Sequence, residues 1–262
     1  MMNEQFSRTA RLLGEESIVK LRRSRVAVFG AGGVGGYVIE SLARAGIGSL
    51  ELIDDDVVAP SNLNRQIIAT RETLGRPKVE AFAERIRSID PAIEVTCRQL
   101  FYLPEEGERF DFTSYDYVVD AIDTVSAKID IICRCTEAGT PVISSMGCGN
   151  RIDPTALVIA DIAKTHTDPL ARVMRRELKK RGIAHLPVLF STEPPLLPYE
   201  EAPDAPSPSG ESETETQVQR PGAPKTHSPG SVPFVPAAGG LAIASRVVLD
   251  LTGYRPEEHR RT

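Results

Sequence analysis

No stretch of the 262 residues approaches the roughly 18 to 20 consecutive apolar side chains that a membrane span needs. The N-terminus, MMNEQFSRTAR, has no apolar signal segment either, so the sequence predicts a cytoplasmic protein. Cysteine is scarce. Cys97, Cys133, Cys135 and Cys148 include no C-x-x-C pair, which argues against a structural zinc, and a chain of this length buries enough core to need no disulfide. His166, His185, His227 and His259 form no metal or base constellation in the sequence. There is no internal repeat, and the apolar and charged fractions, 41% and 26%, are ordinary.

Charge is unevenly placed. The net value of −5 conceals a basic segment, Lys164 to Arg181, with Arg172, Arg175, Arg176, Lys179 and Lys180 inside it, followed by Glu193 to Glu215, which has seven acidic residues and no Lys or Arg. The first can attract an anion and the second cannot. Residues 194–229 are rich in Pro, Ser, Thr, Glu and Gly and read as a flexible surface loop.

What the chain does have is a pattern of strands alternating with helices. Val26 to Phe29 is a short apolar run feeding GAGGVGG at Gly30 to Gly36, and Leu50 to Ile53 is a second run ending in Asp54. In such a unit Gly30 permits the tight turn, Gly32 lets backbone approach a phosphate, and Gly35 lets helix pack on strand, while Asp54 is placed for ribose hydroxyls. A helix is predicted over Lys78 to Ser88, with Val79, Phe82, Ala83 and Ile86 on its inner face, and strands at Ile93 to Cys97, Tyr117 to Ala121 and Val142 to Ser144, the last two separated by a helix over Ala127 to Ala138. A further helix over Pro169 to Arg181 has Asp168 as N-cap, and Pro187 to Phe190 and Ser231 to Val235 read as strands. A closing helix over Ala237 to Thr252 has Leu241, Ala244, Val248 and Leu251 on one face. The fold class is therefore α/β: a Rossmann-like, doubly wound, mostly parallel sheet with a C-terminal extension. The organisation is one domain over 1–262, with a nucleotide-binding core at 25–150 and a substrate-side extension at 151–262.

Several motifs together resemble the ubiquitin-activating-enzyme-like family, whose members adenylate carboxyl groups: GAGGVGG, LIDDDVV at Leu52 to Val58, SNLNRQ at Ser61 to Gln66, GRPK at Gly75 to Lys78 and VVDAIDTVSAK at Val118 to Lys128. NRIDPT at Asn150 to Thr155, DPLARVMRRELKKRG at Asp168 to Gly182 and STEPP at Ser191 to Pro195 resemble the branch that cyclises threonylcarbamoyladenosine in tRNA, and FSRTARLLGEE at Phe6 to Glu16 extends the match toward the N-terminus. The resemblance implies ATP as cofactor, tRNA bearing threonylcarbamoyladenosine as partner, no DNA and no membrane, and a homodimer across which Arg8 reaches into the neighbouring site. Cys148 and the length of the acidic insertion depart from the branch pattern.

Attack of a carboxylate on the α-phosphate of ATP brings two anions together, so cations are the first requirement. Arg65 and Lys78 are the candidates, Asp123 at a strand end is the candidate holder of Mg²⁺, and Asn62 and Asn64 can donate to phosphate or ribose. Plainer uses exist for each. Asp54 and Asp56 serve equally as turn carboxylates, Asn62 and Asn64 as residues that satisfy their own backbone, and Arg8 as a solvated terminal cation. Cys148, between two glycines, reads as a small buried filler rather than a nucleophile. The basic stripe reads either as a solvated helix face or as a surface for the tRNA backbone. Two rival functions remain: adenylation of a sulfur-carrier protein, against which the missing zinc cysteines argue, and a non-catalytic nucleotide sensor, which leaves Arg65, Lys78 and Asp123 without a task.

Overall fold

The computed structural model describes residues 4–199 and 229–255. Two N-terminal helices, α1 (Ser7–Leu13) and α2 (Glu15–Arg23), precede the alternating elements: β1 (Arg25–Phe29), α3 (Gly35–Ala45), β2 (Ser49–Ile53), α4 (Lys78–Ile89), β3 (Glu94–Arg98), β4 (Tyr117–Asp120), α5 (Val125–Ala138) and β5 (Val142–Ser145). Then come β6 (Leu157–Asp161), α6 (Pro169–Lys179), β7 (Pro187–Ser191) and α7 (Phe234–Thr252). The strands form one seven-stranded sheet in the order β3-β2-β1-β4-β5-β7-β6. Every pairing is parallel except β6 with β7.

Local chemistry explains where the helices begin and end. Asp168 Oδ1 accepts the Ala171 N–H at 2.9 Å and Pro169 fills the first helical position of α6, the N-cap arrangement the sequence predicts. Helix α3 stops at Gly46, whose φ of +91° suits a residue without Cβ. On α4, Val79, Phe82, Ala83 and Ile86 are all buried; removing a ring such as that of Phe82 from water contributes about 1.5 to 3 kcal/mol.

The sheet separates two apolar layers. One holds Val38, Ile39 and Leu42 of α3, Phe82 and Ile86 of α4 and Ile243 and Val247 of α7. The other holds Ile131 and Ile132 of α5, Met174 and Leu178 of α6, and the rings of Phe29, Tyr102, Phe110, Phe112 and Tyr115.

Two sequence expectations need correction. Residues 231–235 are not a strand, because Pro233 has no N–H for a ladder and instead opens α7. On α7, Ala244 is buried and Val248 and Leu251 pack partly buried against the core as expected, but Leu241 is exposed, and the centre of the buried face is Val235, Gly239, Gly240, Ile243 and Val247. Glycine sets that face: a Cβ on Gly240 would lie 2.4 Å from Val34 O and 2.7 Å from Tyr37 Cβ, so α7 crosses α3 at its smallest residues rather than its largest. At 19 residues, with an 18-residue window of mean hydropathy 1.5, α7 is long and apolar enough to cross a membrane by length and composition, although Arg246 and Asp250 interrupt its apolar run. Here it packs on α3, β5 and β6. Finally, β6 is an edge strand with a half-exposed pattern that gave no alternating signal.

Candidate nucleotide site

Strands β1 and β4 are adjacent, yet the helices that follow them, α3 and α5, lie on opposite faces of the sheet. Such a switch in connection opens a crevice at the carboxyl ends of the strands. A cleft of about 420 Å³ occupies that place, and its lining includes Gly30, Gly32, Asp54, Asp56, Asn62, Arg65, Lys78 and Asp123.

The glycine turn shows why glycine is required. Gly30 has φ +92°, and a Cβ there would sit 2.7 Å from Ala121 O, the first residue after β4. A Cβ on Gly35 would lie 1.8 Å from Gly30 O, so helix α3 could not approach β1 with any side chain there. Gly32 differs. The nearest atom to its Cβ position is Gln66 Nε2 at 3.9 Å, which leaves open space over the turn for a ligand.

Asp54 ties β2 to this turn: Oδ2 accepts the Ala31 N–H at 2.7 Å and Oδ1 the Asp56 N–H at 2.9 Å. Lys78 is buried, with Nζ 2.8 Å from Asp56 Oδ2 and 3.8 Å from Asp54 Oδ1. An ammonium group at the cleft wall is thus held by two carboxylates. Arg65 Nη1 donates to Ser61 O at 2.8 Å and to Asn64 Oδ1 at 2.9 Å, which swings the guanidinium to the cleft rim. Asn62 Oδ1 accepts the Ala59 N–H at 3.1 Å, the backbone use that the sequence left open. Asn64 lies outside the lining; its Nδ2 donates to Ser231 O at 3.0 Å and fastens the segment before α7 across the site.

Oxygen donors are plentiful. Carboxylate oxygens of Asp54, Asp55 and Asp56 all lie within 4.8 Å of one another, but Asp54 is engaged by backbone and Asp56 by Lys78. Asp123 is exposed at the rim, with a 3.4 Å contact from Thr124 Oγ1. Asp123 thus presents a solvent-facing carboxylate at the rim, the kind of oxygen ligand that a Mg²⁺ keeping most of its waters accepts.

Arg8 does not enter the cleft of its own chain. Phe6, two residues earlier, packs where Gly46 precedes β2, at the amino ends of the strands. Arg8 therefore starts from the end of the sheet opposite the cleft.

Two residues given no role from sequence stand out. Lys128 is fully buried beneath the cleft: Nζ pairs with Asp120 Oδ2 at 2.9 Å and donates to Ile122 O at 3.1 Å and Ser145 O at 2.8 Å, while Ser144 Oγ donates to Asp120 Oδ2 at 2.6 Å. It joins the loops after β4 and β5, both of which line the site. The signal was present, for a lysine sits in phase with Ile131, Ile132 and Cys135 on the buried face of α5. Gln66, 7% exposed, lines the cleft with Oε1 buried and lacking a partner. Its side chain follows Arg65 in the sequence, and only the fold shows that it turns inward.

Cys148 also lines the cleft, and burial pushes its thiol up to about 11. At neutral pH it is a protonated, apolar group, in keeping with the filler reading.

The ThiF family model matches residues 6–258. The chain belongs to the ThiF family. Among proteins similar to this ThiF-family chain, tRNA threonylcarbamoyladenosine dehydratase of Bacillus subtilis is 42% identical over 251 residues, covering 95% of each chain. The crystal structure of Escherichia coli tRNA N6-threonylcarbamoyladenosine dehydratase in complex with ATP superposes with a TM-score of 0.80 at 33% identity, over 99% of this chain and 97% of that one. The sulfur carrier protein ThiS adenylyltransferase of Escherichia coli is 36% identical over 130 residues, half of this chain. In the ThiF-family chain described here, likeness to the dehydratases runs end to end, and likeness to the carrier-protein enzyme does not.

Proposed function

We propose that this ThiF-family enzyme uses ATP to adenylate the carboxylate of the threonylcarbamoyl group on a tRNA adenosine, releasing pyrophosphate, and that ring closure by the carbamoyl group then expels AMP and a proton. The observation that carries the reading is the end-to-end similarity to a dehydratase, joined to one cleft that gathers Gly30, Gly32, Arg65, Lys78 and Asp123. Two anions meet in the activating step, so stabilisation of charge on the phosphoryl oxygens is the main task. Arg65 at the rim and Lys78 at the wall supply positive charge, and the open face of Gly32 gives the phosphates room. Lys78 is held ready by Asp54 and Asp56, and can turn from Asp56 toward a phosphate without crossing bulk water. Asp123 would hold Mg²⁺, whose contribution is to neutralise phosphate charge. Gln66 Oε1 offers a buried acceptor for a ribose hydroxyl or a carbamoyl N–H of the substrate.

No thiol relay is needed. Cys148 is held protonated, and the acyl adenylate is captured by the substrate's own carbamoyl group. In a homodimer the partner subunit's N-terminal helix would carry its Arg8 toward this cleft, and a tRNA substrate fits an enzyme of the cytoplasm.

Incubation of the purified protein with ATP and Mg²⁺ tests the reading, with three second substrates compared: tRNA carrying threonylcarbamoyladenosine, the same tRNA without the modification, and a sulfur-carrier protein. AMP should form with the first alone, one per cyclised nucleoside by mass spectrometry. Pyrophosphate release driven by the carrier protein would transfer the chain to the other branch, and neither pyrophosphate nor AMP with any of the three would overturn the enzyme reading.

A further inference from the structure

Helix α6 carries a dense group of cations. Between Arg172 and Arg181 there are six basic side chains and one acidic one, in a chain whose net charge is −5. The structure sorts these six into three kinds. Arg175 turns inward: its Nη1 donates to Thr165 O at 2.8 Å and to Thr165 Oγ1 at 2.5 Å, fixing the turn before the helix. Arg176, Lys180 and Arg181 gather on one carboxylate, Glu177, at 3.1, 2.8 and 3.4 Å. Those three contacts, led by the hydrogen bond from Lys180, hold the Glu177 carboxyl down at about 2, so it stays ionised at any working pH. Arg172 and Lys179 are the third kind, exposed and seven residues apart, on the same side of the helix as Arg176.

The opposite side, Ala171, Met174 and Leu178, is buried in the core, so the cationic face is fixed in orientation. It is also fixed in position relative to the cleft. Asp168, the N-cap, has Oδ2 3.7 Å from the Cβ position of Gly147, the residue before the cleft-lining Cys148 and Gly149. At about 1.5 Å per residue, Arg172 lies about 6 Å and Lys179 about 16 Å along the helix from that rim.

We infer that the Arg172–Arg176–Lys179 face of α6 is where the phosphodiester backbone of the tRNA docks while its modified adenosine occupies the cleft; this rests on the function proposed above. No aromatic side chain lies within α6 to stack on bases, so the contact is with the backbone and is indifferent to sequence. Glu177 acts as a damper, because its charge cancels part of what Arg176, Lys180 and Arg181 offer to phosphate. Arg175 belongs to the fold and not to this surface, which corrects the stripe drawn from sequence spacing.

The test is tRNA binding by fluorescence anisotropy at several salt concentrations, using tRNA with threonylcarbamoyladenosine and the full-length protein. In the Arg172→Ala, Lys179→Ala double variant the slope of log affinity against log salt should fall by about 0.7 to 0.9 per lost contact, and KM for tRNA should rise on the order of tenfold. Glu177→Gln should bind tRNA more tightly, by about two- to fivefold at low salt, the range spanned by an exposed ion-pair interaction. Both variants alter exposed groups, and ATP binding without RNA reports that the fold is intact. Wild-type slopes in the double variant, or wild-type affinity in Glu177→Gln, would overturn the docking face while wild-type turnover of tRNA leaves the enzyme reading in place. A wild-type protein that neither binds nor converts tRNA would sink both.

Discussion

The two ends of the sheet use charge differently. Toward the amino ends of the strands Arg22 pairs with buried Asp90, and at mid-strand buried Glu51 has one carboxylate oxygen on Arg25, at 2.6 Å, and the other on Arg98. At the carboxyl ends, Arg65 makes its two hydrogen bonds through Nη1, to neutral oxygens, and Asp123 is exposed with a distant hydroxyl for company. Gln66 there keeps a buried acceptor with no donor. Charges at mid-strand and the first end are matched within the protein and serve the fold. At the second, Lys78 and Lys128 are also paired, but Arg65 and Asp123 retain capacity for a ligand, and that is the physical difference between an ion pair and a binding site.

The largest effects should come from breaking this contrast in both directions. Arg65→Ala, Lys78→Ala and Asp123→Ala are each expected to lower the adenylation rate by about 100- to 1,000-fold, since each removes stabilisation of phosphoryl charge. Glu51→Ala should instead cost about 1 to 3 kcal/mol of stability, leaving two arginines facing each other, while the rate per folded molecule holds. Urea melts and single-turnover rates on the four proteins separate the two outcomes. Full turnover by well-folded Arg65→Ala would show that the carboxyl end is no more than another set of ion pairs.

A smaller effect is expected at Cys148. With its thiol raised to about 11, Cys148→Ser should keep the cyclisation rate within a fewfold of wild type, and iodoacetamide should modify the native protein slowly at pH 8. Isolation of an obligatory enzyme thioester would contradict this.

Smallest of all is a pH effect at the buried Glu51 network in mid-sheet. Burial pushes the Glu51 carboxyl up, but hydrogen bonds from Arg98 and Arg25 outweigh it, and the net shift is down from 4.5. A lowered folded value means stability that is fully present above the unfolded pKa and lost as pH falls through the folded one. Denaturation midpoints should therefore decline below about pH 4.5, and less steeply in Glu51→Gln than in wild type. Parallel declines would remove Glu51 from the account.

Much of this was legible before the fold. Glycine-turn spacing marked β1 and α3 because Gly30 and Gly35 are positions where a Cβ would strike backbone, and Arg65, Lys78 and Asp123 each followed a strand or turn that ends at the same crevice. What stayed hidden was decided by tertiary contact. The inner face of α7 depends on how closely Gly239 and Gly240 let it approach its neighbours. Lys128 is a charge on an apolar face, intelligible once Asp120 and two carbonyls are seen around it. Arg175 and Arg176 are adjacent in sequence and alike in chemistry, yet one is tied to Thr165 and the other is exposed, because α6 turns through about 100° between them.

The central claim is that the substrate carboxylate itself attacks the α-phosphate of ATP, and an isotope transfer tests it most directly. With both carboxylate oxygens of the threonylcarbamoyl group labelled with ¹⁸O, a single turnover in unlabelled water should place one ¹⁸O in the AMP released, because the oxygen that bridges the acyl adenylate departs with phosphorus when the ring closes. AMP free of label, or ADP as the nucleotide product, would contradict the adenylation on which the account rests.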